Sequence, residues 1–214
     1  PDNPSGNFIP KKDLLGLLDY ADTQDKSIII DESFVDFAED GANETLITQE
    51  IIDKYPGLFV IKSISKSYGV PGIRLGVVVG SNLECMNKFK KEITIWNINS
   101  FGEYFLQIIG KYKSDYQQAC SLIRDERDRF YQELQTVKYL NVYPSSANYF
   151  LCSLKGGIKA SKLVQELLDK HQIFIKDLTG KIGFMDKEYI RIAVRDKVDN
   201  NYLIDILVKY KKNL

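Results

Sequence analysis

Residues 63–76 read SISKSYGVPGIRLG: one lysine between two serines, then an arginine, in a run punctuated by three glycines. Taken alone, Lys66 reads either as a surface lysine or as a nucleophilic amine. The second reading rests on its surroundings. The lysine would follow a strand end, its serine neighbours could bond a phosphate, and the glycines let the backbone approach a ligand closely. Arg74, eight residues on, offers fixed N–H donors to the same anion. The run fits neither GxGxxG nor GxxxxGK[ST], so a nucleotide loop is not indicated.

Working outward, 58–62 and 76–79 read as strands flanking this loop, and 27–30 as a short buried β-branched strand ending in the acids Asp31 and Glu32. Helices are expected over 11–20 and over 46–54, the latter stopped by Pro56 and Gly57. Strand–helix–strand repetition predicts an α/β fold with a mostly parallel, three-layer sheet. Ser81-x-x-Glu84 and Ser100-x-x-Glu103 read as capping boxes that open two further helices. A long helix follows over about 115–134, with Tyr116, Ala119, Cys120, Ile123, Phe130 and Leu134 on one face. Beyond it, strands at 138–142, 148–154, 172–176 and 190–194 mix with amphipathic helices at 160–170 and 200–210. That change of pattern predicts a boundary near residue 115, with part of a large domain over 1–114 and a smaller α+β domain over 115–214.

Bulk properties narrow the function. The 214 residues can bury a core, and their 29 basic and 29 acidic side chains cancel. A neutral chain gives no support to nucleic-acid or anionic-membrane binding, and KFKK at 88–91 and KYKK at 209–212 read as solvated helix faces. Cys85, Cys120 and Cys152 are odd in number and far apart, as in a reducing, cytoplasmic setting. With His171 the one histidine and no CxxC, no metal site is expected. No apolar run approaches the length of a membrane-spanning helix.

Three more residues bear on the chemistry. A carboxylate at the C-terminal end of a parallel strand lies where open α/β sheets bind ligands, so Asp31 is a candidate, against the plainer reading of a turn cap. Pyridoxal phosphate asks for that set: a lysine for its aldehyde, hydroxyls and an arginine for its phosphate, an acid for its ring nitrogen. Asn3, in the turn PDNPSG, could bond the ring hydroxyl, although Asn-Pro is also a plain turn signal. Arg191, in YIRIAVR, reads as an exposed strand arginine or as a bidentate clamp on a carboxylate.

These four motifs, in this order, resemble the fold-type I pyridoxal-phosphate enzymes of the class I/II aminotransferase family, over essentially the whole chain. The resemblance implies that Lys66 is the Schiff-base lysine and that Ser63 and Arg74 bind the cofactor phosphate. It implies that Asp31 pairs with the pyridinium nitrogen, that Asn3 lies near the ring hydroxyl and that Arg191 binds the substrate α-carboxylate. Ser65 fills the small position beside the lysine. Many relatives carry tyrosine where this chain has Phe34, so one hydrogen bond to the cofactor's ring oxygen is missing. Members also carry a glycine-containing phosphate loop and a stacking aromatic ahead of PDNPSG. The chain is therefore expected to be the C-terminal part of such an enzyme, inactive in isolation, with the active site of the parent built in a homodimer.

Within the family, DESFVDF and the second arginine of RIAVR resemble threonine-phosphate decarboxylases and histidinol-phosphate aminotransferases. Arg195 would then help bind a substrate phosphate, unless it is a surface arginine beside Asp196. Transamination is the expected reaction, because it is the commoner activity in the family. Decarboxylation of a phosphorylated amino acid is the alternative, and an inactive structural fragment is the third possibility.

Overall fold

The computed structural model describes residues 1–184 and 187–210. Lys211 and Lys212, which complete the second basic run, lie outside the described residues. The chain forms two compact units, one of Ile9–Cys120 and one of Pro1–Phe8 with Ser121–Leu214.

In the unit of residues 9–120, β1 (Ile28–Asp31), β2 (Leu58–Ser63) and β3 (Gly76–Val79) form a sheet in that order. β1 runs parallel to β2, with Asp31 opposite Ile61, while β3 runs antiparallel to β2, with Ser63 opposite Gly76. The sheet is thus mixed, not mostly parallel. The reason is the connection itself. Between β2 and β3 the helical pieces are only Ile64–Ser67 and Pro71–Ile73, too short to carry the chain back for a parallel crossover.

One face of this sheet buries Leu58 and Val60 against Leu14 and Leu18 of the helix Lys11–Thr23 and Ile51 and Ile52 of the helix Gln49–Lys54. Each such side chain contributes about 1.5–3 kcal/mol on burial. On the other face Phe59 meets Phe89 of the helix Leu83–Glu92 edge-on, at 5.8 Å between centroids. That second layer is partial. Ile29 is 68% exposed, so β1 alternates between covered and open faces where a fully buried strand was expected.

Local polar chemistry moved several helix ends. The helix expected from residue 46 starts at Gln49, capped by the Thr48 side chain, which accepts from the Ile51 N–H. Neither expected capping box forms. Asn82 and Asn99 cap the helices Leu83–Glu92 and Ser100–Ile108, accepting from the Cys85 and Gly102 N–H groups. Ser81 instead donates to the Ile52 carbonyl at 2.6 Å.

In the other unit, β4 (Leu140–Val142), β5 (Tyr149–Leu154), β6 (Lys176–Asp177) and β7 (Tyr189–Ala193) form an antiparallel sheet ordered β4-β5-β7-β6. Phe150, Cys152, Ile190 and Ile192 point into a core shared with Phe130, Leu134, Leu163, Leu167, Leu203 and Leu207. Those residues belong to the helices Lys113–Gln135, Ala160–His171 and Lys197–Tyr210. The strand expected over 172–176 shrinks to the two residues of β6, because Gln172 adopts a left-handed conformation (φ 57°) to end the preceding helix.

Candidate active site

Asp31 ends β1 and Glu32 follows directly after it, and the two side chains have opposite fates. Asp31 faces solvent, whereas Glu32 is 3% exposed and turned inward. One Asp31 oxygen accepts from the Ser33 N–H at 2.8 Å. The Ser33 hydroxyl oxygen in turn accepts from the Ser63 N–H at 3.1 Å, tying the turn after β1 to the end of β2. An ion pair of 2.8 Å between Lys62 and Asp36, both about 15% exposed, fastens the same two segments.

The lysine sits in the one-turn helix Ile64–Ser67. Its neighbour Ser65 is buried, and its hydroxyl is committed to Leu75: the oxygen accepts from the Leu75 N–H (2.9 Å) and the O–H donates to the Leu75 carbonyl (3.2 Å). The N–H groups of Ile64 and Ser65 reach the same carbonyl. These bonds close the loop between Lys66 and Arg74. Tyr68 braces it from behind, stacked on Tyr116 at 3.8 Å and edge-on to Phe105 at 6.0 Å. Burial pushes both phenols above their ordinary range, so they act as packing groups and not as acids at neutral pH.

Lys66 itself is exposed, with Nζ 4.9 Å from the centroid of the Phe34 ring and no carboxylate partner among the described residues. Arg74 is held at φ 54° and spends one N–H on the Pro71 carbonyl at 3.1 Å. Ser33, Ser63, Arg74 and Gly76 line a shallow open depression. Asp31, Ser63, Lys66 and Arg74 all belong to the unit of residues 9–120.

The other three candidates belong to the second unit. Arg191 on β7 donates to the Asn3 side-chain oxygen at 2.6 Å and lies over the Tyr149 ring. Directly opposite Arg191 on β6 stands Lys176. Two cations side by side on adjacent strands repel unless an anion joins them. Arg195 is engaged by Asp199 one turn later, at 2.6 Å.

The donor set of the first unit has the chemistry a pyridoxal phosphate asks for: a primary amine without an ionic partner among the described residues, an exposed carboxylate, and serine and arginine at an open depression. Ser33 and Lys176 were not singled out from the sequence. Ser33 had a signal, since Asp-x-Ser is a side-chain-stabilised turn. Lys176 had none.

The sequence model of the family "Aminotransferase class I and II" matches residues 1–207, and the chain belongs to that family. Within it, the chain falls in the fold-type I pyridoxal-phosphate superfamily, close to the histidinol-phosphate aminotransferases and threonine-phosphate decarboxylases. It is 33% identical to L-serine phosphate decarboxylase of Sulfurospirillum multivorans over 100% of this chain and 54% of that protein. Threonine-phosphate decarboxylase of Salmonella typhimurium is also 33% identical, over 97% of this chain and 55% of its own length. Among solved structures, histidinol-phosphate aminotransferase of Clostridium acetobutylicum superposes with a TM-score of 0.88 at 33% identity, covering 100% of this chain and 63% of that one. The chain thus spans about half the length of these two curated relatives.

Proposed function

We propose that the protein carrying this chain is a pyridoxal-phosphate-dependent decarboxylase of a phosphorylated amino acid, of the O-phosphoserine or O-phosphothreonine kind. One observation of the structure carries the substrate class: Lys176 and Arg191 face each other across β6 and β7 with no acid bonded to Lys176 among the described residues. Such a pair suits a substrate with more than one negative charge. The reaction type draws support from the relatives, whose names favour decarboxylation over the transamination expected from the family at large. A second reading, amino transfer to a 2-oxo acid, draws on the aminotransferase that superposes at 0.88.

In this proposal the amine of Lys66 would hold the cofactor at its aldehyde carbon and would hold and deliver the proton that the substrate Cα takes up. The Asp31 carboxylate would accept the ring N–H, Ser63 and Arg74 would hold the cofactor phosphate, and Asn3 would donate to the ring oxygen. Arg191 orients the substrate carboxylate, and Arg195 serves a substrate phosphate only by releasing Asp199. Bound pyridoxal phosphate supplies a sink for the electron pair left on Cα when a bond to that carbon breaks. Which bond breaks depends on how Arg191 and its neighbours orient the substrate. A homodimer is part of the proposal, supported by Ile95 and Trp96, each 90% exposed, and Phe101, 80% exposed, in one short segment.

The test is to supply the intact protein, loaded with cofactor, with O-phosphoserine or O-phosphothreonine and measure released carbon dioxide. One carbon dioxide per phosphorylated amine formed, with no need for a 2-oxo acid, is the expected result. Amino transfer to 2-oxoglutarate without carbon dioxide would replace this reading with the second one.

A further inference from the structure

We infer that Tyr149 is a positioning residue for Arg191, fixing the guanidinium both through its ring and through the backbone that carries Asn3. The inference rests on the proposed assignment of Arg191 to the substrate carboxylate. Asp2, Asn3, Tyr149 and Arg191 all belong to the same compact unit. Tyr149 opens β5 and is 4% exposed. Its ring lies against Arg191, with the guanidinium carbon 5.0 Å from the centroid. Its hydroxyl donates to the Asp2 carbonyl at 2.9 Å. Asn3, the next residue, accepts from Arg191 at 2.6 Å. These contacts close a circuit: hydroxyl to Asp2, peptide to Asn3, amide to guanidinium, guanidinium to ring.

The circuit answers a physical problem. A long arginine side chain on a strand samples many rotamers, and ordering it only when substrate arrives costs affinity. Tyr149 restricts those rotamers in advance in two ways. The ring face attracts the planar cation and defines the plane in which it lies. The hydroxyl fixes the peptide from which the Asn3 amide reaches one edge of the guanidinium. The Asn3 segment is held further along by the Ser146 N–H, which donates to the Gly6 carbonyl at 3.0 Å. The donors of Arg191 not spent on Asn3 stay aimed and available for a carboxylate.

The test uses the intact protein with Tyr149→Phe and Tyr149→Leu, and Arg191→Lys as a control on the assignment of Arg191 itself. Phenylglyoxal modification, read by peptide mass spectrometry with Arg195 as internal reference, needs no substrate. The Arg191 to Arg195 labelling ratio should rise about fivefold in Tyr149→Leu and about twofold or less in Tyr149→Phe, which keeps the ring. In kinetics, the KM for O-phosphoserine should rise by a similar factor in Tyr149→Leu with kcat little changed. Inhibition by phosphoethanolamine, which lacks the carboxylate, should not move. An unchanged labelling ratio in Tyr149→Leu, whether neither arginine speeds up or both do equally, overturns the inference. If Arg191→Lys leaves discrimination between O-phosphoserine and phosphoethanolamine intact, the assignment of Arg191 to the carboxylate fails, and the labelling ratio still decides the role of Tyr149.

Discussion

Glu32 holds no substrate in this reading, yet its replacement should loosen the turn that aims Asp31. The side chain is 3% exposed, and its two oxygens accept from the Thr45 hydroxyl and the Leu46 N–H, each at 2.6 Å. Leu46 is itself fully buried. Alanine at position 32 would remove two bonds to a charged group and leave the Leu46 N–H without a partner, while relieving the cost of burying the carboxylate. Bonds to charged groups are worth about 1.5–3 kcal/mol each and an orphaned buried donor costs about 1–3 kcal/mol, so a net loss of about 3 kcal/mol is expected after that relief. Glutamine keeps an acceptor for Leu46 and loses only the charge, for a loss of about 1 kcal/mol. Amide hydrogen exchange of Leu46 reads this locally. Its rate should rise about fivefold in Glu32→Gln and about a hundredfold in Glu32→Ala. An Ala variant whose Leu46 exchanges at the wild-type rate would refute the reasoning, because the segment 45–47 would then be held by something other than Glu32.

Three further outcomes are expected. Borohydride reduction of the cofactor-loaded intact protein should fix the cofactor on Lys66, and label found on another lysine would remove Lys66 from its proposed role. Asp31→Asn should retain cofactor yet lose roughly 10²-fold or more in turnover, about 3 kcal/mol of transition-state stabilisation; near-normal turnover would refute the proposed pairing with the ring nitrogen. Glu126 is held below the usual carboxylate range by its bonds to Arg129 and then to Asn200. A depressed folded-state pKa gives stability that is present above the ordinary carboxyl pKa and lost as pH falls through the folded value. Acid titration followed by circular dichroism should show that loss in the wild type and not in Glu126→Gln; parallel curves would count against it.

The fold was most legible where one residue type dictates one conformation. Glycine and β-branched runs marked β3 at its true limits, and the periodicity of the long helix found Phe130 and Leu134, both fully buried. Strand direction was not legible, since periodicity is the same for parallel and antiparallel strands. What decided it was the shortness of the helical pieces between β2 and β3, a loop across which Ser65 bonds Leu75. The caps failed for a related reason. Asparagine and serine both cap helices, and the choice between Ser81 and Asn82 was made by the Ile52 carbonyl, far away in sequence, which took the serine.

The candidate site divides along the same line. Asp31, Lys66 and Arg74 became candidates through short motifs and their neighbours: acids at a strand end, hydroxyls beside an amine, glycines around an arginine. Asn3 and Arg191 have no such neighbours in common, being 188 residues apart in sequence and 2.6 Å apart in space. Yet their contact fixes more than either motif does. A guanidinium has no acceptor, so Asn3 must turn its oxygen toward Arg191, and its N–H groups face elsewhere. The amide is thereby a donor to whatever oxygen comes next to it. That polarity suits the ring oxygen of the proposed cofactor, and it follows from the partner of Asn3, not from the Asn-Pro turn in which the residue lies.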